Sequence, residues 1–118
     1  MASEKLQTIN RAVLIVKAKE PLRQWLHNLP DGIDMTLDEI NRDCTTYLVP
    51  EYGTQDELSR IIKDSFKKIF ELELESWWLK TSDWPDTSDY DLFRKWFDVE
   101  VHSLVLDLAP GHVKLEDF

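Results

Sequence analysis

Ile9-Asn10-Arg11-Ala12-Val13-Leu14-Ile15-Val16-Lys17-Ala18-Lys19 decides the fold class. Its centre, Ala12 to Val16, is an apolar run rich in β-branched residues and free of turn residues, the composition of a strand buried on both faces. Such a strand belongs at the middle of a sheet, and the rest of the chain has to supply its neighbours and its cover.

Helical spacing follows at once. Pro21 suits the first turn of a helix, and Leu22, Trp25, Leu26 and Leu29 form one apolar stripe that Pro30-Asp31-Gly32 stops. Thr36 with Glu39 three residues on is a capping box, in which each side chain satisfies a free backbone N–H. It predicts a short helix to about Asp43 with Leu37, Ile40 and Cys44 on its buried face. Thr45 to Val49 is β-prone and closed by Pro50, which cannot donate to a ladder, so it reads as an edge strand. Thr54 and Glu57 repeat the capping spacing at the head of the longest helix. There Leu58, Ile61, Ile62, Phe66, Ile69, Phe70, Leu74 and Trp77 recur every three or four residues, and the pattern predicts a helix to about Trp78.

Thr81 to Ser88, with Pro85 inside, reads as a loop, and Ser88 as the cap of a further helix reaching about Phe97. Beyond Phe97 a helical face competes with the alternation of Asp98, Glu100 and His102 against Val99 and Val101. The β-branched density favours a strand to Leu108. Pro110-Gly111 is a turn, and His112 to Phe118 is a short edge strand or a loose tail. The order β-α-α-β-α-α-β predicts one α+β domain over residues 1–118. It has a small mixed sheet of about three strands, helices packed mainly on one face, and loose ends at 1–8 and 112–118.

Composition bounds the function. A chain of 118 residues, 42% apolar and 11% aromatic, can build one core. Its 23 acidic residues against 14 basic ones leave a net charge of −9, which opposes nonspecific binding to nucleic acid or anionic membrane. Lys63, Lys67 and Lys68 enclose Asp64 and read as a solvated helix face. The single Cys44 can form neither an intramolecular disulfide nor a cysteine-built zinc site. No apolar core of signal-peptide length opens the chain, and Ala12 to Val16 is too short to cross a bilayer, so a cytoplasmic protein is expected. P-loop, G-x-G-x-x-G and G-x-S-x-G patterns are all missing, and nothing calls for a cofactor.

The most unusual feature is an acidic stretch, Glu71 to Asp98, that holds Trp77, Trp78, Trp84 and Trp96. Eight carboxylates against Lys80, Arg94 and Lys95 give it a net charge of −5. Periodicity assigns Trp77 and Trp96 to the core. Trp78 and Trp84, beside Asp83, Asp86 and Asp89, read as a partner-binding surface, an aromatic anchor ringed by carboxylates. The competing reading is that all four rings seal the end of the core.

Three weaker constellations remain. On a strand, Asp98, Glu100 and His102 share one face at steps of about 7 Å, a spacing that suits a divalent metal or proton transfer, or simply a solvated polar face. Asp83, Asp86, Asp89 and Asp91 could offer oxygens to a hard cation, but their spacing is not that of an EF-hand. Cys44 paired with His27, His102 or His112 would be a nucleophile and base; its place on an apolar stripe reads as a buried thiol instead. The chain is therefore expected to be a noncatalytic protein-interaction or regulatory module that binds a basic or apolar protein partner, or a second copy as a homodimer. The alternative is a small metal-assisted enzyme using Asp98, Glu100 and His102.

Overall fold

A computed structural model describes residues 7–118 of the protein. The chain runs through β1 (Gln7–Thr8), β2 (Ala12–Ala18), α1 (Glu20–His27), α2 (Leu37–Ile40) and β3 (Thr46–Val49). It continues through α3 (Gln55–Glu75), a 3-10 turn (Thr81–Asp83), α4 (Tyr90–Trp96), β4 (Phe97–His102) and β5 (Leu106–Asp107). This is an α+β fold.

β2 is the middle of a three-stranded sheet, with β3 on one side and β4 on the other. Ala12, Leu14, Val16 and Ala18 point to one face and are buried, while on the other face Val13 is buried, Ile15 half-buried and Lys17 exposed. That period of two puts one face wholly under cover and leaves the other open to water only toward Lys17. Both pairings are antiparallel, so the mixed sheet expected from sequence is not formed. The reason is where the chain re-enters. Thr46 lies opposite Ile15 and Phe97 opposite Ala18, so β3 and β4 both start near the end at which β2 leaves.

The caps act as their residue types require. Thr36 and Glu39 form a complete capping box on α2. On α3 the Thr54 Oγ1 accepts from the Glu57 amide at 3.2 Å, and the Glu57 carboxylate reaches one residue further back to accept from the Gly53 amide at 2.8 Å. After α1, Gly32 adopts φ 57°, which lets the Ile33 amide donate back to the Leu26 carbonyl at 3.0 Å.

α4 passes directly into β4, and the Lys19 amide donates to the Trp96 carbonyl at 2.8 Å where the helix becomes a strand. β4 ends at His102 and not at Leu108, because the ladder breaks there. Thr8 to Val13 is five residues while the partnered Leu106 back to His102 is four, so one extra residue bulges out of the first strand before β1 and β5 pair. Gln7 and Thr8 are thereby held in a ladder, against the reading of 1–8 as a loose end; residues 1–6 lie outside the described residues. Residues 112–118 form no regular element and are exposed. Among the described residues no helix is long and apolar enough to cross a membrane.

The core is aromatic at its centre. Phe70 is fully buried, with ring centroids 5.6 Å from Phe93, 5.9 Å from Trp96 and 5.7 Å from Phe97. This ring joins α3, α4 and β4 in one contact set. Phe70→Ala is expected to lower the unfolding free energy in a urea titration by about 3–5 kcal/mol. A loss below about 1 kcal/mol would mean that the three elements are held together elsewhere.

Candidate interaction site at the end of the long helix

α3 stops at Glu75, three residues short of the end that the apolar stripe predicts. The Ser76 hydroxyl donates to the Glu73 carbonyl at 2.7 Å, and the amides of Trp77 and Trp78 converge on the Leu74 carbonyl at 3.0 and 2.9 Å. These bonds satisfy the Glu73 and Leu74 carbonyls and turn the chain away. Trp77 and Trp78 therefore lie beyond the helix, free of its 100° geometry.

The indoles are used as hydrogen-bond donors. Trp78 Nε1 donates to the Asp83 carboxylate at 2.9 Å, Trp25 Nε1 to the Asp83 carbonyl at 3.0 Å, and Trp84 Nε1 to the Trp78 carbonyl at 2.8 Å. Trp25 also lies 5.9 Å from Trp96. Asp83 thus ties α1 to the loop after α3, and Trp84 closes that loop on itself. All four rings of the acidic stretch are half-buried and pack against the core. The division expected from sequence, Trp77 and Trp96 inside with Trp78 and Trp84 outside, is not kept. An indole has enough area to cover a core edge and a single donor that must be satisfied there.

The neighbouring aspartates are also committed. Asp86 accepts from the Ser88 amide at 3.0 Å and its hydroxyl at 2.6 Å, and those bonds hold its carboxyl below the ordinary range. Asp89 accepts from the Leu92 amide at 3.1 Å and is the cap of α4 in place of Ser88, whose hydroxyl Asp86 has taken. Leu79, between Trp78 and Lys80, is left 77% exposed.

A second polar group at this end was not singled out from sequence. Tyr47 donates to the Glu73 carboxylate at 2.7 Å, across 26 residues. Burial pushes the Glu73 carboxyl up, with the Tyr47 bond pulling partly against it; burial, with Glu73 beside it, pushes the Tyr47 phenol up as well. The signal was present. Glu73 stands three residues after Phe70 and four before Trp77, on the apolar stripe of α3 where a carboxylate needs a partner. Beside it is a cavity of about 70 Å³ that Asn41, Cys44 and Trp77 also line. Asn41 closes the end of β2, accepting from the Ala18 amide at 2.7 Å and donating to its carbonyl at 2.9 Å. Cys44 Sγ lies 3.3 Å from the Asn41 carbonyl, and burial pushes its thiol up, the opposite of an activated nucleophile.

Asp98, Glu100 and His102 do share the outer face of β4, and lysines from β2 and its exit meet them there. Lys19 lies 3.5 Å from Asp98, Lys17 3.4 Å from Glu100, and His102 3.2 Å from Glu100. His102 and then Lys17 hold the Glu100 carboxyl below its usual range. No group of three or more metal-type side chains gathers among the described residues. Lys63 of the thin basic cluster sits 5.6 Å over the Tyr90 ring.

No family model, curated protein or solved structure matches this chain.

Two outcomes follow from the geometry. Asp83→Ala strands the Trp78 N–H and is expected to cost about 1–3 kcal/mol in a urea titration, with a red shift of tryptophan emission as the loop opens. An unchanged midpoint and spectrum would show the clasp to be idle. For Glu73 the folded-state pKa is raised above the ordinary 4.5, so its favourable contribution is complete below that value and is lost as pH rises through the folded pKa. Wild type should therefore lose stability relative to Glu73→Gln over that interval. A pH-independent difference between the two would remove burial as the cause.

Proposed function

We propose that the chain is a noncatalytic protein-interaction module, active in the cytoplasm without a cofactor. Its acidic, tryptophan-built end binds a basic or apolar segment of a protein partner. The observation that carries this reading is Leu79, 77% exposed on a loop that indole hydrogen bonds hold at both ends. An apolar side chain carried on a loop that is held before binding saves the cost of ordering that loop on contact, which favours affinity. Trp78, Trp84 and Asp83 build the platform, while Asp86 and Asp89 place negative charge beside it, the arrangement of an apolar anchor with a polar rim.

A second reading, a homodimer, is favoured by Leu104 and Leu108, which stand 68% and 79% exposed on the arm that follows β4. The metal-assisted enzyme has less support, because a cation at Asp98 and Glu100 would have to displace Lys19 and Lys17.

Affinity capture from the native cell with wild type and Leu79→Asp, joined by light scattering, separates these readings. A stoichiometric partner held by wild type and weakened about tenfold or more by Leu79→Asp is expected. Equal retention by both proteins would remove Leu79 from the interface. A mass of two chains that falls to one in Leu104→Asp, Leu108→Asp would favour the homodimer.

A further inference from the structure

Between the outer edge of β3 and the last turns of α3 lies an open apolar trough of about 330 Å³, lined by Thr45, Tyr47, Leu72, Ser76 and Phe118. It continues at one end into a hollow of about 180 Å³ that adds Glu75 and Leu79. It also shares Thr45 and Ser76 with the smaller cavity that holds Asp43 and Glu73. The apolar trough thus has carboxylates in both of the hollows beside it.

Two features say what would fill it. β3 pairs only with β2, so among the described residues its other edge meets no strand, and an unpaired edge accepts an added strand. The charge there is also unbalanced. α3 has no basic residue in its last turn, although the partial negative charge of a helix C-terminus ordinarily attracts one. None of the ion pairs among the described residues uses Asp43, Glu73 or Glu75.

We infer that the trough docks an extended basic and apolar segment of a protein partner. The segment adds to the β3 edge, lays a large apolar side chain against Tyr47 and Leu72, and brings a lysine or arginine to Glu75. Alternation along a strand supplies both, since side chains two residues apart share a face about 7 Å apart. A second copy of this chain fits less well, because it brings a further net charge of −9 to an acidic site. The inference rests on the reading of the chain as an interaction module and names the partner's chemistry.

The test is a titration of ¹⁵N-labelled protein with an acetylated hexapeptide of alternating lysine and leucine, and with its glutamate-for-lysine counterpart. Saturable amide shifts at Thr45, Tyr47, Ser76 and Leu79 are expected with the lysine peptide, and binding about tenfold weaker with the glutamate one. Glu75→Lys, at an exposed position that the fold does not need, should reverse that preference. The inference is overturned by shifts confined to β4 or to the Asp86 to Asp89 turn, by an unchanged preference in Glu75→Lys, or by no shift at about 1 mM peptide. Shifts at the same amides on raising protein concentration alone would make a second copy the occupant and overturn it too. Leu79-dependent capture without peptide shifts removes the trough and leaves the module; loss of both removes both.

Discussion

The inner face of β2 has to be kept dry, and most of the architecture answers that need. A three-stranded sheet has a single layer, so Leu14 and Val16 can be buried only by helices laid across them. Each such side chain removed from water contributes about 1.5–3 kcal/mol. α3 contributes the largest set of buried helical side chains to that core, Leu58, Ile62, Ile69, Phe70 and Leu74. Its 21 residues make a rod of about 32 Å, whereas the seven residues of β2 span about 23 Å. The helix is longer than the strands beneath it, and its far end needs another lid. The indoles of Trp25, Trp77, Trp78 and Trp84 supply that lid.

This origin changes the meaning of the acidic stretch. Its net −5 suggests a free negative surface, but Asp83, Asp86 and Asp89 each have fixed hydrogen-bond donors that the chain itself provides. They organise the loop and start α4. Glu75 is exposed and stands in no ion pair among the described residues. The donors on the aspartates are neutral and leave their charge in place, so the field that a partner would meet is set by the aspartate loop and the end of α3 together.

Local signals were legible because they act over three or four residues. The capping box at Thr36, the edge strand closed by Pro50 and the helix-to-strand change at Phe97 all follow from short-range chemistry. The strand direction was not legible, since it depends on where two long connections return to the sheet. The end of α3 was missed for a related reason: periodicity carried the stripe through Trp77, while the Ser76 hydroxyl and the Leu74 carbonyl ended the helix first. Of the candidate site, the residue types were readable and the roles were not. Trp78 and Trp84 stand five and six residues from their acceptors in sequence, and only the folded loop brings the indole N–H groups to them.

Glu73 shows how a costly group can be kept for geometry. A carboxylate on the apolar side of a helix raises the free energy of the fold unless it is bonded, and Tyr47 is the partner that reaches it. Tyr47 belongs to β3, which among the described residues has a strand neighbour on one side only and is otherwise tied to the core through Val49. The phenol–carboxylate bond therefore acts as a spacer between strand and helix. Glu73 lines the small cavity and Tyr47 the apolar trough, so the bond stands between the two. A Tyr47 wall held before a partner arrives avoids part of the ordering cost that a mobile edge would incur. The carboxylate that is a liability for the core is thus the anchor of the bond that ties the β3 edge to α3.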